Sequence, residues 1–137
     1  MSTDWITMLP LKVFTAIKTE FSQTIKDTYS MTDKNFSTVG SSDTPAVFPF
    51  VRFQTLPGSE QGQDFEKNNI NAGTFGFQID VFDNKTQGNA RKVTNEVVRI
   101  LKKMGFDINQ FPTFEDTKDY HRMTTRVKKS FGDDEAF

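Results

Sequence analysis

Between Gly73 and Asp83 the chain alternates strictly. Phe75, Phe77, Ile79 and Val81 fall on one side, and Thr74, Gly76, Gln78 and Asp80 on the other. Side chains of an extended chain point to opposite faces in turn, so this run predicts a strand with one buried and one wet face. After a turn at Asp83-Asn84-Lys85 the period changes. From Thr86 to Met104, the residues Ala90, Val93, Val97, Ile100, Leu101 and Met104 recur at helical spacing, while Arg91, Lys92, Arg99, Lys102 and Lys103 lie elsewhere. Met104-Gly105-Phe106 is a helix stop: Gly105 can take the left-handed conformation and Phe106 can fold back onto Leu101. A half-buried strand running straight into an amphipathic helix predicts a layered α+β domain, because each element needs the other's apolar surface.

The remaining segments extend this layout. Leu9 to Tyr29 predicts a helix with Leu11, Phe14, Ile17, Phe21 and Ile25 on one face and Pro10 in its first turn. Asp33 to Pro45 reads as a loop. Val47 to Leu56 predicts a strand, with Val47, Val51 and Phe53 on one face and Phe48, Phe50 and Arg52 on the other; Pro49 makes it an edge strand or a strand start. The stretch 57–72 (PGSEQGQDFEKNNINA) reads as a long polar loop. Asp107 to Asp119 holds Ile108, Phe111 and Phe114 and is expected to include a short strand. Tyr120 to Phe131 predicts another strand, with His121, Met123, Thr125 and Val127 on one face and Arg122, Thr124, Arg126 and Lys128 on the other. The acidic stretch 132–137 is expected to be a mobile tail. The predicted domain spans residues 1–137: a mainly antiparallel sheet of about four strands with two helices packed on one face.

Composition narrows the chemistry. The 137 residues include fifteen phenylalanines, one histidine and no cysteine. Disulfides and thiolate chemistry are thereby excluded, and a His-rich metal site with them. No stretch is long and apolar enough to predict a membrane span, and the N-terminus lacks the basic start and apolar run of a signal peptide. His121 has Tyr120 and Arg122 as neighbours on the opposite side of its strand, and the carboxylate pair Glu115-Asp116 reads as loop. Gly58 and Gly62 have no Gly-Lys-Ser/Thr after them and form no phosphate loop. No catalytic residue, cofactor or metal ligand is therefore expected. Charge is polarised along the chain: Lys85 to Lys129 holds 11 Lys/Arg against 5 Asp/Glu, leaving 6 against 13 elsewhere. Arg122, Arg126 and Lys128 on one strand face, with the lysines of the second helix, are candidates for phosphate contacts, although the domain as a whole is not basic and no base-reading motif is visible.

From residue 47 onward the layout resembles the tail terminator (tail-completion, or tail-to-head joining) proteins of long-tailed bacteriophages. The resemblance rests on the apolar strand Phe48-Pro49-Phe50-Val51-Arg52-Phe53, a long polar loop, and the alternating strand Phe75 to Phe82. It continues with the helix ending Ile100-Leu101-Lys102-Lys103-Met104-Gly105-Phe106 and the arginine-bearing strand His121 to Arg126. It implies a non-enzymatic virion protein, assembled in the host cytoplasm, that forms a homo-hexameric ring at the head-proximal end of the tail. Such a ring stops tube polymerisation and docks the head connector or stopper, and viral DNA passes through its lumen without sequence-specific recognition. The implied partners are thus other copies of the chain, the tail tube protein and the connector, with no membrane and no cofactor. The long loop is the first candidate for subunit contacts: Phe65 and Ile70 as anchors, Asp64, Glu66 and Lys67 setting register. Arg122 and Arg126 are the second. Two rival expectations stand beside this one, another connector or tube component of the same particle, and a cytoplasmic binding module.

Overall fold

The computed structural model describes residues 4–38, 45, 47–61 and 72–132. The protein is α+β. In chain order come α1 (Asp4–Glu20), α2 (Gln23–Tyr29), a 3-10 turn (Asp33–Asn35), β1 (Phe36–Ser37), β2 (Phe50–Gln61), β3 (Ala72–Asp83), α3 (Gln87–Lys103), β4 (Asp107–Asp116) and β5 (His121–Gly132). The strands form a five-stranded sheet in the order β1-β2-β3-β5-β4, antiparallel throughout except for the parallel β1–β2 pair. The sheet thus has one strand more than expected and is mixed, and there are three α-helices in place of two.

The N-terminal helix differs from the sequence reading in three ways. It starts at Asp4, so Pro10 lies inside α1 and not in its first turn. Its buried seam is Leu9, Val13, Phe14, Ile17 and Phe21, whereas Leu11 is 54% exposed. At 100° per residue Leu11 points some 200° away from Leu9, off the face that meets the sheet. The helix also breaks at Phe21-Ser22. The Ser22 N–H donates to the Glu96 carboxylate at 2.7 Å, and the Ser22 hydroxyl caps α2 by accepting from the Ile25 N–H. An acceptor from another helix thus takes a donor that helix continuation would have used.

The expected loop 33–45 contains β1. Asn35 is buried, accepts from the Thr32 N–H and donates to the Pro49 carbonyl at 2.6 Å, which sets Phe36 opposite Val51. β2 is therefore internal, and Pro49 precedes its first residue; the strand-start alternative holds and the edge alternative does not. The expected loop 57–72 is shorter than read, since residues 57–61 and 72 belong to β2 and β3. The ladder runs from Phe50↔Phe82 to Gln61↔Ala72, with a bulge between Leu56 and Ser59. A ladder is made by backbone groups, so a run of polar residues does not prevent one. At the bulge a Cβ on Gly58 would lie 2.5 Å from the Thr74 carbonyl oxygen, so only glycine fits. Residues 62–71 lie outside the described residues. Gly132 closes β5 and is not part of a tail; 133–137 also lie outside.

The core lies between the sheet and the helices. Phe75, Phe77, Ile79 and Val81 of β3 are all buried, as the alternation predicts, with Val51 and Phe53 of β2 and Met123, Thr125, Val127 and Phe131 of β5. α1 covers the β1–β2 end through the Phe14–Phe53 and Phe21–Phe36 contacts. α3 covers the β3–β5 side with Ala90, Val93, Val97, Ile100 and Leu101. A continuous aromatic path joins the layers: Phe53–Phe77 stack at 4.6 Å, Phe77–Phe106 meet edge-on at 5.6 Å, and Phe106–Phe131 follow at 5.7 Å. Among the described residues, eight phenylalanines are buried in this core.

The predicted helix stop is present. Gly105 has φ +94°, its N–H donates to the Lys102 carbonyl, and the Phe106 N–H reaches the Leu101 carbonyl, both at 3.0 Å. This pair of bonds is a Schellman ending, and the buried Phe106 ring completes it. After it, β4 runs for ten residues, longer than the short strand expected, with register shifts around Gln110. Glu115 and Asp116 lie at its end and not in a loop.

Candidate functional site

Among the described residues, the helices pack on one face of the sheet and none lies over the second. Strand parity places Arg52 and Gln54 of β2, Gln78 and Asp80 of β3, Arg122, Thr124, Arg126 and Lys128 of β5, and Glu115 of β4 on it. The expectation of a wholly wet face for β3 is not met. Asp80 is 0% exposed and Phe82 2%.

Asp80 is covered by its neighbours' side chains. Arg122 donates to Oδ1 through Nη2 at 3.0 Å and Nε at 3.3 Å. Thr124 adds a bond at 2.7 Å, the Gln78 amide lies within 3.4 Å of both oxygens, and the Arg52 guanidinium reaches Oδ2 at 3.4 Å. The two guanidinium groups also lie over the Phe82 ring, with centroid distances of 5.0 and 5.8 Å, and Tyr120 meets that ring edge-on at 5.1 Å. The network continues outward: Arg126 donates to the Gln78 side-chain oxygen at 3.0 Å, and Arg122 pairs with Glu115 at 3.6 Å. One hydrogen-bonded system thus crosses β2, β3, β5 and β4. A buried carboxylate that accepts from several donors and two guanidiniums is an anchor for cations, and its oxygens are occupied.

Of the residues expected at a contact surface, Arg122 and Arg126 stand four residues apart on this face, with Thr124 between them. They differ in state. Arg122 is held by Asp80 and Glu115 with a quarter of its side chain exposed, whereas Arg126 is exposed and bonded to a neutral amide. Asp64, Phe65, Glu66, Lys67 and Ile70 lie outside the described residues. Sequence reasoning missed Asp80 as the centre of the face. The available signal was parity, since Asp80 shares a face with Arg52, Arg122 and Thr124, but only the register Arg52↔Asp80↔Thr124 makes them one cluster.

His121 also has a partner the sequence did not suggest. Its Nδ1 lies 2.8 Å from the Asp116 carboxylate across the β4–β5 pair, and Gln87 of α3 donates to the other oxygen. The His121 bond, with help from Gln87, holds the Asp116 carboxyl below the usual range. Glu96 is lowered too, first by the bidentate bond from Arg99 at 2.7 and 2.8 Å and then by the Ser22 N–H, against the opposing pull of burial. Among the described residues no three His, Asp or Glu side chains gather where a metal ion would be held, and no helix is long and apolar enough to cross a membrane.

Comparison with known proteins returns no match, either among family models or among curated proteins.

Proposed function

We propose that the protein is a structural subunit of a long-tailed bacteriophage particle. It forms a ring that caps the head-proximal end of the tail tube, stops its polymerisation and docks the head connector. The observation that carries this reading is the one-sided build of the subunit. α1 and α3 occupy one face of the sheet, while the opposite face bears a charged network anchored on Asp80. A subunit with unlike surfaces makes heterologous contacts, and such contacts close into rings or run on as filaments. The reading also rests on the resemblance carried by residues 48–53, 75–82, 100–106 and 121–126 of the sequence.

The test is to assemble the cognate tail tube protein with and without this chain and measure tube lengths by electron microscopy. Added protein is expected to narrow the length distribution and to appear as an extra layer at one tube end. Unchanged lengths would refute the capping role. Open filaments formed by the chain alone would make it a tube component.

A further inference from the structure

Two apolar patches sit at opposite ends of the sheet. On the β4 edge, Phe111 is 78% exposed and Phe114 38%. On α1, over the β1–β2 end, Met8 is 46% and Leu11 54% exposed. There Leu11, Lys12, Thr15, Ala16, Thr19 and Glu20 line a shallow, largely apolar groove. An exposed phenylalanine at one end and an apolar groove at the other are complementary in kind, and neither patch is a copy of the other.

Charge favours the same match. Four of the five acids in the otherwise basic segment 85–129 are Asp107, Glu115, Asp116 and Asp119, on β4 or in the turn after it. The cations of that segment lie mainly on α3 and β5, with Lys118 in the turn; Glu115 is paired with Arg122 and Asp116 with His121, so Asp107 and Asp119 are the acids this edge offers to a neighbour. Lys12 stands beside Leu11 on the outer side of α1, while Glu20 at the groove's far end is paired with Lys103. Backbone pairing between copies is disfavoured at β4 by Pro112 and by the register shifts around Gln110. Side chains must carry any contact there.

We propose that the β4 edge of one copy docks on α1 of the next, with Phe111 seated in the groove beside Leu11 and Ala16 and Lys12 facing the acidic edge. The occupant of the groove is a second copy of this chain. This deepens the ring reading above and names the surfaces that would close the ring: the contact is heterologous, so each copy offers one patch and receives the other.

The absence of cysteine makes the test clean. Full-length chains carrying Leu11→Cys are mixed with chains carrying Phe111→Cys and oxidised. The mixed 11–111 dimer is expected to dominate, and the doubly substituted chain is expected to oxidise to covalent oligomers. Phe111→Asp should weaken association about tenfold or more in sedimentation, as loss of an interface anchor does, with an unchanged circular dichroism spectrum because the side chain is exposed. Same-site dimers in excess would overturn the proposal. So would cross-linking no better than that of Phe111→Cys with Asn95→Cys on the outer side of α3. A ring seen on tails with cross-links mapping elsewhere would sink this contact alone. Covalent oligomers from a chain that leaves tube length unchanged would sink the capping role and leave the contact standing.

Discussion

The two faces of the sheet bury their centres by different means. On one, Phe77, Ile79 and Val81 reach 0% exposure beneath two helices. On the other, Asp80 reaches the same 0% with no helix above it among the described residues, bonded by Arg52, Arg122, Gln78 and Thr124. Burial on the first face is non-directional and follows apolar volume. Burial on the second depends on each polar group meeting its partner, and therefore on strand register. Mutations should separate the two regimes.

The greatest loss is expected from Phe77→Ala. The ring stacks on Phe53 and meets Phe106 edge-on, and emptying that site should cost about 3–5 kcal/mol in urea unfolding. A loss under about 1 kcal/mol would mean that this face repacks freely.

Asp80→Ala should cost about 3 kcal/mol, because it removes the buried carboxylate on which two guanidiniums converge, their side chains only 13% and 26% exposed. Adding Arg52→Leu and Arg122→Leu should recover most of that loss, since removing all members of a buried ionic cluster is often nearly neutral. If Asp80→Ala is silent, the open face is ordinary solvated surface and the contrast between the faces disappears.

Gly105→Val should cost more than about 1 kcal/mol, because a β-branched residue resists the positive φ of the helix stop. A Cβ there would also approach the Lys129 ammonium at 2.9 Å, although a flexible lysine end can move aside. An unchanged melting temperature would contradict the left-handed assignment.

The smallest effect concerns pH. Glu96 has a lowered pKa in the folded state, so its contribution is present above its ordinary value of 4.5 and fades as pH falls through the lower folded value. Glu96→Gln should therefore cost about 1 kcal/mol at neutral pH and flatten the fall of melting temperature below about pH 4.5. Parallel melting curves for variant and parent over that range would show that the Ser22–Glu96–Arg99 cluster is not what ties α1 and α2 to α3.

What the sequence revealed follows the same division. The alternation of Phe75 to Val81, the apolar face of α3 and the stop at Gly105 are local patterns, and each appears in the fold as read. Leu11 misled because two leucines near the helix start fit competing seams, and the choice between them is tertiary. β1 consists of two residues placed by Asn35 reaching Pro49, a contact without local signature. The full length of β4 was hidden because an edge strand tolerates polar residues on both sides and a proline. Asp80 looked like a solvated residue until register brought its partners to it, and the Asp116–His121 pair arose in the same way from cross-strand pairing. Parity alone placed Arg122 and Arg126 on one strand face with Thr124.

The ring reading meets its most direct test in cryo-electron microscopy of tails from particles that carry this chain. The predicted result is a layer of this subunit at the head-proximal tube end with six-fold or pseudo-six-fold symmetry, the β4 edge of each copy against α1 of the next. A layer of different symmetry, or this chain found only along the body of the tube, would contradict it.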